Sequence, residues 1–404
     1  MSVLQIDLII ALLLGCCVGI FTGLAPGIHV NTVAAGVLAS LAFLTKWFSP
    51  LALGVFLIAM VIMHCFTDFI PSIFLGAPDD GETALSVLPG HKMLLEGRGY
   101  DALKLTVIGG VGATLIGLAM LPVFSLAISY GYDKLGIVIP LLIMSFSAFF
   151  ILLEKGLKGK IWALLVFMLS GVLGIITLSQ LPLKEPLFPL LSSLFGISTL
   201  IISMQGTNKI VEQKLSDKIE FKGYWFSHIK ASLSAAIMSI LPALGGAQAT
   251  VLAQAITKKQ HSSEEFLVMV GGINTVSSIF VLATLFLIGR ARTGVLAVMK
   301  QFLNLDIYSF LILLVASLVA IGLSVVVTLL LGRFIAKRIT KFKYRKLSFI
   351  VLVILIGLVG LLSGWLGLFV ASAGTAIGLI APKVGIKRIH AMGCLAIPIV
   401  LYFI

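Results

Sequence analysis

Pro78-Asp79-Asp80-Gly81-Glu82 decides how this chain is read. Apolar runs precede it, back to Leu51, and follow it from Leu105, which sets three carboxylates within four positions beside a bilayer's apolar core. A charge at mid-membrane costs about 2.5–3.5 kcal/mol even on the lenient insertion scale. Proline and glycine also break the helix that a spanning segment needs. Such a stretch is tolerated where backbone and side chains line a polar cavity inside the protein. It therefore reads as part of a transport site in an all-α polytopic membrane protein.

Composition agrees. The 404 residues are 59% hydrophobic and 11% charged, with a mean hydropathy of +1.16, whereas soluble domains carry about 25% charged residues. About ten apolar runs of spanning length fit the chain, joined by loops too short for a soluble domain. The net charge of +13 sits in those loops, which is a topology signal and excludes a nucleic-acid patch. Trp47, Trp162, Trp225 and Trp365 each lie at the edge of an apolar run, as interfacial belts require. Cys16, Cys17, Cys65 and Cys394 lack metal-ligand spacing and read as reduced thiols. Leu13-Leu14-Gly15-Cys16 is similar to a lipoprotein cleavage box, but no Lys or Arg precedes Lys46, so residues 6–22 read as retained helix.

Two stretches then match in plan. Ile6–Thr22 runs into Gly23-Leu24-Ala25-Pro26-Gly27-Ile28-His29-Val30-Asn31-Thr32 before a second arm, Val33–Leu44. Leu241-Pro242-Ala243-Leu244-Gly245-Gly246-Ala247-Gln248-Ala249-Thr250 does the same between Ser232–Ile240 and Val251–Ile256. Each reads as a broken, re-entrant helical hairpin. A long broken segment follows each, with Ser72-Ile73-Phe74-Leu75 and Ser278-Ile279-Phe280-Val281 in similar places. Four apolar runs close each half, about 103–130, 136–153, 161–180 and 188–204, then about 307–332, 347–364, 366–381 and 391–404.

Loop charge orients the halves. Lys155, Lys158 and Lys160 mark a basic loop in the first, while the basic loops of the second, at Arg333–Lys346 and Lys383–Arg388, fall at the non-equivalent positions. With basic loops cytoplasmic, equivalent loops face opposite sides. The expected organisation is an inverted-topology repeat: residues 1–204 (hairpin 6–44, broken segment 51–95, four helices), a cytoplasmic amphipathic linker 205–230, and residues 231–404. That places both termini outside the cytoplasmic membrane. Inverted repeats whose broken helices meet near the midplane are the architecture of secondary transporters.

The Gly23–Gly27 apex, the Gly76–Gly97 stretch with its Pro-Gly-His-Lys-Met-Leu-Leu-Glu-Gly run, and the Leu241–Thr250 apex resemble the TctA family, the large membrane subunit of tripartite tricarboxylate transporters, and in particular its shorter archaeal members. The resemblance implies cation-driven uptake of a di- or tricarboxylate, with a small membrane subunit and an extracytoplasmic binding protein as partners. The family's uncharged Pro-Gly-Thr-Pro-like apex is here Pro-Asp-Asp-Gly-Glu.

Site chemistry follows from the residue types. Helix N-termini at broken segments offer unpaired N–H groups and a positive dipole end to anions. Pro26, Gly27, His29, Asn31 and Thr32 of the first apex, and Gly245, Gly246, Gln248 and Thr250 of the second, are the candidate substrate contacts. Asn274, Thr293 and the guanidinium groups of Arg290 and Arg292 complete the set, since arginine grips carboxylate or phosphate bidentately. Asp79, Asp80, Glu82 and Asp68 are assigned to the coupling Na⁺ or H⁺. Structural ion pairs between Asp79 or Asp80 and the two arginines are the plain alternative. His64 and Asp68, four apart on one helix face, lack a third ligand at helical spacing and read as a buried hydrogen-bonded pair, not a metal site. His91, Lys92, Glu96 and Arg98 mark an interfacial turn.

The sequence thus points to a secondary active transporter for a small organic anion, working by alternating access, with no cofactor beyond the coupling ion and room for a homodimer. A translocase for a lipid-linked anion such as polyisoprenyl phosphate is the alternative. No nucleophile–base pair or paired-histidine motif argues for an enzyme.

Overall fold

The computed structural model describes residues 3–25, 30–76, 89–135, 139–183, 186–205, 211–215, 223–240, 249–250, 253, 262–341 and 344–403. In chain order the first half holds α1 (Val3–Leu24), α2 (Val30–Ala39), α3 (Leu41–Leu44), α4 (Pro50–Thr67), α5 (Phe69–Leu75), α6 (Gly99–Leu135), α7 (Ile139–Leu152), α8 (Gly156–Ile175), α9 (Leu187–Leu191) and α10 (Ser198–Gln205). The second half holds α11 (Trp225–Ile240), α12 (Ser263–Ile288), α13 (Gly294–Phe302), α14 (Ile307–Arg338), α15 (Tyr344–Val384) and α16 (Gly393–Phe403). Among the described residues no strand occurs, and seven helices are long and apolar enough to cross a membrane. The protein is an all-α, multi-pass membrane protein.

Two spans form its centre. Pro50–Leu75 and Ser263–Ile288, 26 residues each, have 78% and 83% of their most apolar windows buried, against 28–44% for the other five. Their ends are built alike. Ser49 Oγ accepts from Ala52 N, with Pro50 in the first turn, and Ser262 with Glu265 forms a reciprocal capping box. Gly76 and Gly289 close the two segments in the left-handed conformation, at φ +67° and +65°, which glycine adopts without a Cβ penalty. The first span is notched at Asp68, and Pro71 has no N–H to offer the carbonyl of Thr67.

The two central segments touch in antiparallel register. Cys65 Sγ lies 3.8 Å from Ser278 Oγ, and one turn further along, Asn274 Nδ2 donates to Asp68 Oδ2. Around them the packing is paired. α1 runs parallel to α4, held close by glycines four apart: a methyl at Gly15, Gly19 or Gly23 would sit 2.3 Å from the Phe56 carbonyl, 2.6 Å from that of Met60, or 2.0 Å from Thr67 Oγ1. α11 runs parallel to α12 in the same way, with Ala231 against Gly272 and Thr284 Oγ1 reaching the Ser239 carbonyl. α6 lies along α12, with Gly109 against Val268 and Gly110 against Thr275; α14 lies along α4, with Leu313 over Gly54.

The chain on either side of each broken stretch meets at one level, and the two levels lie at opposite ends of the bundle. Asp7 Oδ2 accepts from Ser49 N at 3.0 Å and from Ser49 Oγ at 2.7 Å, so the chain between them comes back to its own level. Tyr224 Oη donates to Glu264 Oε2 at the corresponding place in the second half.

α15 carries a sharp break at Gly364, at φ +64° and ψ −162°. A Cβ on Gly360 would lie 3.6 Å from Leu368 Cδ1, whereas a straight helix keeps residues eight apart separated by about 12 Å. Leu355, Val359 and Ala371, from both sides of the break, accordingly share one small core with Ile197 and Leu200. The segment turns back on itself where the sequence divides runs 347–364 and 366–381.

Of the linker, residues 205, 211–215 and 223–230 are described; residues 211–215 are not helical, and helix resumes at Trp225. Gln213 is the reason: its Oε1 accepts from Gly99 N at 2.8 Å while its Nε2 donates to the carbonyls of Leu94 and Val211. Lys214 N donates to the Gly97 carbonyl, so this stretch stitches the start of α6.

Candidate transport site

Two polar places stand out where the helices are interrupted. The first lies at the start of α2 and the end of α11. Asn31 is in the opening turn of α2, just past the first apex, and Ile240 ends α11, just before the second. The Arg290–Gly294 segment joins them. The Arg292 guanidinium donates to the Ile240 carbonyl, satisfying a helix C-terminus that has no intrahelical partner. Gly294 lies so close to Asn31 that a Cβ there would be 2.7 Å from Asn31 Oδ1. Thr293 caps α13, its Oγ1 accepting from Leu296 N at 3.3 Å. Beneath, Val30, Ala34 and Val37 share one core with Val295, Val298 and Met299. α2 and α13 therefore begin side by side and present two helix N-termini to one place, with Arg290 exposed next to them.

The second place lies where α4 crosses α12. Asp68 is fully buried. Its Oδ2 accepts from Asn274 Nδ2 at 3.2 Å and is 4.0 Å from His64 Nε2. His64 Nδ1 is 3.1 Å from Thr22 Oγ1 on α1, and Asn274 Nδ2 also donates to the Cys65 carbonyl at 3.0 Å. Three helices thus contribute to a buried polar cluster around one carboxylate. An Asp in such a place is held by hydrogen bonds or by a cation.

The structure brings Asn31, Arg292 and Thr293 together, and separately Asp68 and Asn274. Asn274 belongs with the carboxylate and not with the end of α11: Thr284, which reaches Ser239, is ten residues further along α12, about 15 Å by helical rise. Thr250 is fully buried. Pro26, Gly27, His29, Asp79, Asp80, Glu82, Gly245, Gly246 and Gln248 lie outside the described residues, as does the Thr32 side chain. Among the described residues no group of three His, Cys, Asp or Glu could hold a metal. Sequence reasoning missed Thr22, hidden in an apolar run, and the backbone partner of Arg292. It also missed a lock at the bundle's other end, where Arg98 pairs with Glu264, which accepts from Tyr224 as well.

Broken helices that gather polar groups inside an apolar bundle define a polytopic membrane protein of the transporter class. The chain belongs to the tripartite tricarboxylate transporter TctA family, whose pattern it matches over residues 9–393. It is 32% identical over 407 residues to an uncharacterized protein of Methanocaldococcus jannaschii, an alignment covering 97% of this chain and 98% of that one. No solved structure matches the chain.

Proposed function

We propose that the protein is a secondary active transporter that moves a small organic anion of the di- or tricarboxylate type, coupled to Na⁺ or H⁺. The observation that carries this reading is the meeting of Asn31, the Thr293–Gly294 helix start and, through Arg292, the end of α11. Two N-terminal dipoles and an exposed guanidinium at Arg290 suit a carboxylate. Asp68, with the acidic stretch Asp79–Glu82, takes the coupling cation, and Asn274 orients it. A small membrane subunit and an extracytoplasmic binding protein are the partners that the family description implies.

We read the halves, 1–204 and 231–404, as an inverted repeat. Support comes from three pairs of positions with one spacing: Ser49 and Ser262 as N-caps, Gly76 and Gly289 as left-handed C-caps, and Cys65 and Ser278, which are 213 apart and in contact. Equivalent residues that touch in antiparallel helices are what a two-fold axis in the membrane plane requires. On this register Ser72 and Ser278 are not equivalent; the letters that suggest it are two helical turns out of step.

The test is uptake of labelled citrate into proteoliposomes under an inward Na⁺ or H⁺ gradient. Gradient-driven accumulation that Arg290→Gln removes supports the reading. Scrambling of a polyisoprenyl phosphate without gradient dependence, and no citrate uptake, overturns it in favour of a lipid-anion translocase.

A further inference from the structure

The α14–α15 turn is the most concentrated charge in the chain. Arg333 to Lys346 contains seven Lys or Arg and no acid. Two basic residues beside it, Arg98 and Lys104, are neutralised. α6 begins beside the end of α14, with Leu103 against Gly332 and Tyr100 Oη on the Leu329 carbonyl. There Arg98 pairs with Glu264 and Asp101, and Lys104 Nζ is 2.7 Å from Asp101. Lys337, Arg338 and Lys346 are exposed, and among the described residues no carboxylate pairs with them.

Helix electrostatics explain only some of these charges. Lys337 and Arg338 complement the negative end of α14. Lys346 stands in the first turn of α15, at the positive end of a helix, where a cation is disfavoured. The positive-inside bias accounts for cations at one end but not for their position against exposed aromatic and aliphatic side chains. The surroundings fix the depth. The Arg338 guanidinium lies 3.7 Å from the centre of the Phe334 ring, and Phe334, Phe349 and Ile350 are exposed apolar residues within a turn of the cations. Apolar side chains facing acyl chains with cations directly above them meet a bilayer at headgroup level.

We propose that this turn binds an anionic phosphate, that of a phospholipid headgroup in the leaflet it borders, through Lys337, Arg338 and Lys346. Each cation near an anionic surface contributes about fivefold, so three give roughly a hundredfold preference over a zwitterionic lipid. Full-length protein in detergent is titrated with phosphatidylglycerol or phosphatidylcholine, and bound lipid is counted by native mass spectrometry. The expected result is retention of phosphatidylglycerol at about a hundredfold lower concentration, abolished by the K337Q/R338Q/K346Q variant with its melting temperature unchanged. K346Q alone removes about a fivefold share and serves if the triple variant folds poorly. Equal retention of both lipids, or a preference that survives in the variants, overturns the proposal. So does inorganic phosphate binding at these residues where phosphatidylglycerol does not, since the source of the anion is then soluble.

Discussion

Asp68 and Arg292 look alike on paper, as charges beside apolar runs, yet their surroundings give them different work. Asp68 is sealed among α1, α4 and α12 and holds Asn274 by one oxygen. Asp68→Asn keeps the volume and an acceptor for Asn274 but removes the charge. Hydrogen bonds to charged groups are worth about 1.5–3 kcal/mol, so gradient-driven uptake is expected to fall roughly 10- to 100-fold while the protein still elutes as a single species. Full gradient-driven uptake by this variant would free Asp68 of any part in coupling. Arg290 and Arg292 divide in the same way. Arg292 is tied to the α11 terminus, and Arg292→Gln is expected to lower the melting temperature as well as uptake. Arg290 is exposed, and Arg290→Gln is expected to raise the KM for substrate by roughly 10-fold or more with the melting temperature unchanged. Equal losses of stability in both variants would show that neither is reserved for substrate.

Each broken element carries its own mark of how the chain reverses. At Gly364 the φ of +64° and ψ of −162° lie in a region that only glycine visits readily, and nothing stands within 4 Å of an added Cβ. Gly364→Ala therefore meets no clash and reports backbone strain alone, on the order of 1–3 kcal/mol. Gly322 of α14 also faces open space but sits in ordinary helix, where alanine is favoured by about 1 kcal/mol. Thermal unfolding in detergent is expected to move in opposite directions for the two variants; destabilisation of both by the same amount would argue against a strained turn. Hydropathy located these elements because the bilayer demands apolar length, and it divided the Tyr344–Val384 run correctly at Ser363-Gly364-Trp365. It could not fix the register between the halves. Lipid-facing and packed apolar letters interchange at little cost, so the Ser-Ile-Phe letters at Ser72 and Ser278 carry little register information. Capping residues answer unsatisfied N–H and C=O groups, so Ser49 with Ser262 and Gly76 with Gly289 are the better guide to the proposed repeat. Nor could the sequence place Gln213 or Arg292, because both bind backbone groups, and a carbonyl has no letter.

At the scale of the whole molecule, the centre is too tightly packed to slide. Glycines let α1 lie against α4 and α6 against α12, with added methyls falling 2.0–2.6 Å from neighbouring atoms. Close-packed interfaces of this kind shift between discrete arrangements or not at all. Where α2, α11 and α13 meet, polar contacts such as Arg292 on the Ile240 carbonyl and Lys300 Nζ on the Gly289 carbonyl can exchange one by one. Motion during transport is therefore expected there, around a fixed pair of central helices. Ser278→Cys tests this, because Cys65 already lies 3.8 Å from the Ser278 hydroxyl and a disulfide needs only a small approach. Oxidation should join the two halves in one chain, visible as two fragments that stay together after cleavage in the linker until reductant is added. The joined protein is expected to keep the citrate uptake of its reduced form, because two close-packed helices that do not part lose nothing when joined. Uptake lost on oxidation and restored by reductant would mean that α4 and α12 part during the cycle, and that the segments they belong to rock against each other.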